Sequence, residues 1–359
     1  MRNNFFFLEG VTICLIECIY NRLQEDIEIA TIYSIAKKIG ISASTVSRAL
    51  RNSGYVRKEL KEQIFAVAKE MEYEPNLVAV GLLSKQSYSL GLVLPDITNP
   101  YFPEIARGVE DAASKNGYNV FLCNTDGITS KEASYLKLLR SKQIDGVIFI
   151  AANEDPVGPR RLQKANIPIV LVDRRVDIQC DYVTADNFRG GFIATRHLLE
   201  RGHRRIAVVT GPAKLSSSIQ RLEGYKAALQ DEGVKFSESL VIEGDYQAKG
   251  GYASASAFLS MNPRPTAVFV CNDLMAIGLM EAFEQYGVSV PKDCSIVGYD
   301  DTMLASVCRP KLTTVSQPKY EMGSLACEIM IDRLKRPDAK LMSEVFMPKL
   351  VIRESTIRV

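Results

Sequence analysis

Seven short runs of β-branched and aliphatic residues, alternating with amphipathic stretches, constrain what most of this chain can fold into. They occupy residues 90–94, 119–123, 146–150, 169–172, 206–209, 267–270 and 295–298. Residues 101–116, 130–142, 188–201, 218–232, 250–260 and 273–286 carry apolar residues at helical spacing. Uninterrupted apolar runs separated by helices indicate parallel sheets covered on both faces. The pattern predicts two doubly wound α/β units in succession, joined near Ala185-Asp186-Asn187. Residues 312–318 and 347–353 would return the chain between the two lobes, and a helix over 320–335 would pack on the first.

Ligands of such sheets sit outside the carboxyl ends of the strands. The residues there are Asp96, Asn99, Tyr101, Phe102, Asp173, Asn272, Asp273, Tyr299, Asp300 and Asp301, with Arg221 and Tyr246 on further loops. Carboxylates, amides and an Arg among aromatic rings suit a polyhydroxylated molecule. Some of these residues, Asp273 above all, are read equally well as helix caps.

Ahead of this body, residues 31–86 hold elements too short to be stable alone. Ile32, Ile35, Ala36 and Ile39 recur at helical spacing and stop at Gly40. A second helix follows, capped by Ser42 or Ser44, with Val46, Ala49 and Leu50 inward and Ser44, Thr45, Ser47, Arg48 and Arg51 outward. A third, over 58–73, buries Leu60, Ile64, Val67, Ala68 and Met71. Two helices joined through a Gly-containing turn, the second short and polar on one side, form the helix-turn-helix pattern. Residues 31–87 hold nine Lys and Arg against five Glu. The chain's positive excess therefore sits where phosphate contacts need it. With the second helix in a major groove, Ala43, Ser44 and Arg48 face base edges, Arg48 being suited to guanine O6 and N7. Tyr33, Thr45, Ser47, Asn52 and Tyr55 are placed for phosphates. For the two tyrosines, packing beneath the helices is the alternative.

The string Ala36-x3-Gly40-Ile41-Ser42-x2-Thr45-Val46-Ser47-Arg48-Ala49-Leu50, then Tyr73-x-Pro75-Asn76-x2-Ala79-x2-Leu82, resembles the lac-repressor (LacI/GalR) family of bacterial transcription regulators. The resemblance continues through almost all of the remaining chain. It implies the same DNA-contact positions, adds Thr31, Asn76 and Ala79, and implies a hinge helix after Pro75 that folds on operator DNA and inserts Leu82 into the minor groove. It implies a periplasmic-binding-protein-like body whose effector cleft is lined by Tyr101, Phe102, Asp173, Arg221, Tyr246, Asn272, Asp300 and Gln317. Departures from the family pattern are Ser34 for Asp, Val80 for Arg, and Arg57 and Leu60 for polar residues. The expected domains are a non-native or disordered extension over 1–29, the DNA-binding module over 30–75, hinge and linker over 76–87, and the effector-binding and dimerisation body over 88–359.

With 359 residues, 47% of them hydrophobic, and a net charge of +2, the chain reads as a large globular protein. Glu9 and Glu17 interrupt the apolar start, which fits neither a signal peptide nor a membrane span. Eight cysteines without a CxxC pair or His/Cys cluster favour a reducing cytoplasm and no metal or other cofactor. His197 and His203 read as structural. No nucleotide-loop, HExxH or GxSxG motif occurs, so an enzyme is not expected. The reading is a dimeric, ligand-responsive repressor of carbohydrate-utilisation genes, binding a pseudo-palindromic operator and a sugar or sugar derivative. Control by a protein corepressor is the alternative, and a sugar-binding transport protein a remoter one.

Overall fold

The computed structural model describes residues 30–50, 54–73, 86–151 and 155–359. The chain forms two compact units, one N-terminal to Gln86 and one from Gln86 to Val359.

In the first unit, α1 (Ile32–Ile39), α2 (Ala43–Leu50) and α3 (Lys58–Glu70) close around Ile35, Ala36, Val46, Ala49, Ile64 and Ala68. Thr31 caps α1: its hydroxyl accepts from the Ser34 amide while the Ser34 hydroxyl accepts from the Thr31 amide, satisfying two orphan donors. Ser34, a departure from the family pattern, thus has a local task. Gly40 ends the helix in the left-handed region, φ 78°, returning its N–H to Ala36. Of the two candidate caps for α2, Ser42 is the one that accepts from the Thr45 amide, at 3.3 Å.

The second unit is two doubly wound lobes. The first sheet runs β11 (Ser343–Phe346), β5 (Asp181–Ala185), β4 (Ile169–Val172), β3 (Gly146–Ile150), β1 (Ser89–Leu94), β2 (Asn119–Asn124), all parallel. The second runs β12 (Lys349–Val351), β10 (Thr313–Ser316), β9 (Ser295–Asp300), β8 (Ala267–Val270), β6 (Ile206–Thr210), β7 (Val241–Glu243), with β12 alone antiparallel. The chain crosses between lobes three times: after β5, between β10 and α12 (Lys319–Lys335), and between β11 and β12. Both return segments and the docking of α12 on the first lobe match the expectation from sequence.

The other helices are α4 (Tyr101–Lys115), α5 (Thr129–Ser141), α6 (Val157–Lys164), α7 (Asn187–Glu200), α8 (Ser216–Asp231), α9 (Ala248–Ser260), α10 (Asp273–Gln285) and α11 (Met303–Val307). Three packed pairs carry a glycine on each side of the contact: Gly108 and Gly323 for α4–α12, Gly191 and Gly224 for α7–α8, Gly251 and Gly278 for α9–α10. A methyl group at any of the six would overlap the partner helix's backbone. The glycines therefore let the paired backbones approach closely, which sets the spacing of these three helix pairs.

The sequence did not announce β5, β7, β11, α6 or α11. Edge strand β2 departs from the expectation of coverage on both faces, since Phe121 and Leu122 are nearly half exposed. All six described cysteines are free thiols and five are buried, as their apolar surroundings implied. No described helix is long and apolar enough to cross a membrane.

Candidate functional site

On the first unit, α2 presents Ser44 and Arg48 to solvent, with Ala43, Thr45 and Ser47 half buried beside them. The Arg48 Nε donates to the Ser44 carbonyl at 3.3 Å and Nη2 to Thr45 Oγ1 at 3.5 Å, so the guanidinium lies back along its own helix. Tyr33 is 72% exposed and Tyr55 88%. Neither ring packs beneath the helices, which removes the structural alternative for both. Thr31 combines its exposed position with the cap described above. Asn52, Asn76, Ala79 and Leu82, with the hinge and the extension, lie outside the described residues.

Between the lobes of the second unit, a cavity of about 500 Å³ opens at the carboxyl ends of the strands. Tyr101, Phe102, Asp173, Arg221, Tyr246, Asn272 and Asp300, all named from sequence, line it. Gln317 stands directly behind, donating from Nε2 to Asp300 Oδ1 at 2.9 Å. Asp173, Tyr246 and Asp300 have positive φ values of 74°, 63° and 107°. Non-glycine residues in this region store strain, and such residues cluster at ligand clamps.

Arg221 reaches this wall from α8. Its Nε donates to Asn187 Oδ1 at 2.8 Å and its Nη1 to the Cys271 carbonyl at 2.5 Å, while the guanidinium stacks 3.6 Å from the Tyr299 ring centroid. The guanidinium is thereby held on three sides, and Arg221 also lines the cavity. Asp300 Oδ1 lies 3.9 Å from Arg221 Nη1. Burial pushes the Asp300 carboxyl up to about 8, outweighing the opposite pull of Arg221. The expected cap role of Asp273 falls instead on Asn272, whose Oδ1 accepts from the Met275 amide while Nδ2 donates to the Tyr246 carbonyl. Asp273 braces the wall from behind, accepting from Thr302 N and Thr314 Oγ1; burial pushes it up to about 6.

Sequence reasoning missed Arg174, Ser217, Asp245 and Gln247 on the cavity wall. Arg174 directly follows the strand-end Asp173, so extending the strand-end rule by one residue would have found it. Across the mouth, Gln247 Nε2 of the second lobe donates to Asp96 Oδ2 of the first at 3.4 Å. Among the described residues, the buried polar side-chain atoms without a partner include Arg174 Nε, Tyr299 Oη and Gln317 Oε1, all at or behind this cleft. Of these, Arg174 lines the cavity itself, where a polar ligand would supply the missing acceptor. No group of three or more His, Cys, Asp or Glu positioned for a metal occurs among the described residues.

Residues 31–76 match the family described as bacterial regulatory proteins, lacI family, and residues 195–356 match the periplasmic binding protein-like domain. The ribose operon repressor of Halalkalibacterium halodurans is 37% identical over 326 residues, 91% of this chain and 97% of that protein. The lac repressor dimer bound to operator and the anti-inducer ONPF superimposes with a TM-score of 0.81 at 27% identity, covering 92% of this chain and all of that one. A regulator of the same family from Enterococcus faecium, solved with bound ribose, gives 0.70 at 32% identity over 76% of this chain and 99% of that one. The fold, the helix-turn-helix and the cleft define a bacterial transcription regulator with a periplasmic-binding-protein-like body. The chain belongs to the lacI family of bacterial regulatory proteins and is a sequence-specific DNA-binding protein.

Proposed function

We propose that the chain represses transcription as a homodimer and that a free, unphosphorylated pentose in the cleft switches it. The observation that carries this reading is the charge of the wall: Asp96, Asp126, Asp173 and Asp245 line the cavity against two cations, Arg174 and Arg221. Such an excess of carboxyl groups opposes a phosphate or carboxylate and suits a neutral polyol, with Phe102 and Tyr246 available to its apolar face. The ribose in the Enterococcus faecium regulator and the name of the Halalkalibacterium halodurans repressor support the sugar class.

On DNA, Arg48 reads a guanine, Ala43 meets a thymine methyl and Ser44 a base edge, while Thr31, Tyr33, Thr45, Ser47 and Tyr55 hold phosphates. Two such modules require a two-fold site, which a symmetric dimer supplies. Ligand shifts the population between two lobe arrangements, and these differ in affinity for operator. Tyr101, Phe102, Asp173, Arg221, Tyr246, Asn272 and Asp300 contact the ligand, and Gln317 orients Asp300.

The test is thermal unfolding of the full chain with D-ribose, D-ribose 5-phosphate or hypoxanthine, followed by gel-shift titration on its own promoter with the compound that binds. Ribose at 100 times its dissociation constant adds about 2.7 kcal/mol to the fold. Ribose is expected to stabilise and to change operator affinity, and the phosphate to do neither. Stabilisation by ribose 5-phosphate above that by ribose would overturn the reading.

A further inference from the structure

At the inner end of the cleft, the Tyr101 hydroxyl donates to Asp173 Oδ1 at 2.6 Å. The two side chains belong to residues only 4% and 5% exposed. Tyr101 opens α4, and its ring packs edge-on against Phe102 with centroids 5.3 Å apart, which fixes where the phenol points. Burial, and then Asp173 itself, hold the phenol well above its ordinary pKa, so it stays a donor at every physiological pH. One lone pair of Asp173 Oδ1 is therefore taken within the protein, and the phenol oxygen stands 2.6 Å in front of that oxygen.

The other oxygen, Oδ2, lies 3.7 Å from Arg174 Nε, and that Nε has no acceptor. An oxygen placed about 2.8 Å from both would accept from Arg174 and donate to Asp173. A hydroxyl does both, whereas a carbonyl or an ionised phosphate oxygen does only the first. A carboxylate with both oxygens free would grasp two neighbouring hydroxyls of a sugar.

We propose that Tyr101 is the specificity-determining residue at this end of the cleft, because it reduces Asp173 to a seat for one ligand hydroxyl shared with Arg174. The proposal rests on the sugar reading above and adds what that reading lacks: how many hydroxyls the inner wall counts. In the wild type, one hydroxyl of the ligand couples to Asp173 and its neighbour on the ring does not. Without the phenol, both do.

The experiment is isothermal titration of D-ribose and its 2-deoxy, 3-deoxy and 5-deoxy analogues into wild type, Asp173→Asn and Tyr101→Phe. Asp173→Asn is expected to weaken ribose by about 100-fold or more, because a site built around a hydroxyl discriminates steeply. It should leave one analogue, lacking the seated hydroxyl, within about threefold of its wild-type affinity. Tyr101→Phe keeps the ring and its packing, and should make a second, adjacent hydroxyl matter by about tenfold where the wild type is nearly indifferent. Two hydroxyls coupled to Asp173 in the wild type would overturn the proposal while leaving the sugar reading in place. A folded Tyr101→Phe protein with an unchanged preference would overturn it equally. Should that variant not fold, the cycle with Asp173→Asn decides by itself. If no pentose binds the wild type, the sugar reading falls and this proposal with it.

Discussion

The Lys319 ammonium donates to the Asp300 carbonyl at 2.7 Å and to the Asp301 carbonyl at 3.0 Å, and lies 3.4 Å from Glu104 Oε2. Asp300 ends a strand of the second lobe and Asp301 follows it, whereas Glu104 belongs to α4 of the first. Lys319 itself is almost fully buried where the chain crosses between them. One side chain thus ties the positive-φ pair behind the cleft to the opposite lobe.

Replacing Lys319 with Met keeps the apolar stem and deletes the donors. The two carbonyls lose a charged partner, and the fold should lose about 1–3 kcal/mol, read as a lower urea midpoint. The operator response to ligand should weaken more than ligand affinity does. Equal changes in both would mean that the ammonium only stabilises and does not couple.

Arg48→Ala should relax selectivity at one base pair of each half-site by about 1–3 kcal/mol, measured by competition with single-substituted operators. A uniform loss over all sequences would place Arg48 on a phosphate instead.

Gly323→Ala sets a methyl against the Ile105 carbonyl oxygen and forces α12 away from α4. Overpacking of this kind costs about 1–3 kcal/mol. Gly108→Ala strains the same contact from the other side, so the double variant should lose less than the sum of the two. Simple additivity in thermal melts would show that the helices give way independently.

His197 is buried, its Nε2 bonded to Thr356 Oγ1, and burial followed by Arg201 pushes its pKa down to about 4. The unfolded chain binds this proton near 6.5, so it holds more protons than the fold between those values. Stability should therefore fall as pH drops from about 6.5 toward 4, by about 2–3 kcal/mol from this residue. The difference between wild type and His197→Gln across that range isolates it from other titrating groups. Parallel curves would mean that the ring is protonated in the fold.

Local pattern shows where it forms an element by itself and hides where a distant residue completes it. Strands β1, β3, β4, β6, β8 and β9 are continuous apolar runs and were legible as such. β5 begins with Asp181, a charge that argues against a buried strand. Arg333 neutralises it with paired bonds of 2.9 and 3.0 Å, from 152 residues along the chain. β11 reads Ser-Glu-Val-Phe and is mostly exposed, so no hydrophobic signal marks it. In the cleft, residue types at strand ends gave the wall, because the fold puts all such ends together. The Tyr101–Asp173 bond and the orphaned Arg174 nitrogen arise from packing across 72 residues and left no trace in spacing.

The three crossings carry a consequence for biosynthesis. The first lobe takes α12 and β11 from the far end of the chain, and the second takes β12 after that. A ribosome that has made everything up to residue 318 has finished neither lobe. The usual order, in which an N-terminal domain folds while the next is still being translated, is closed to this body. Its two lobes must be completed together, by residues 319–351, while two unfinished sheets wait with an edge uncovered.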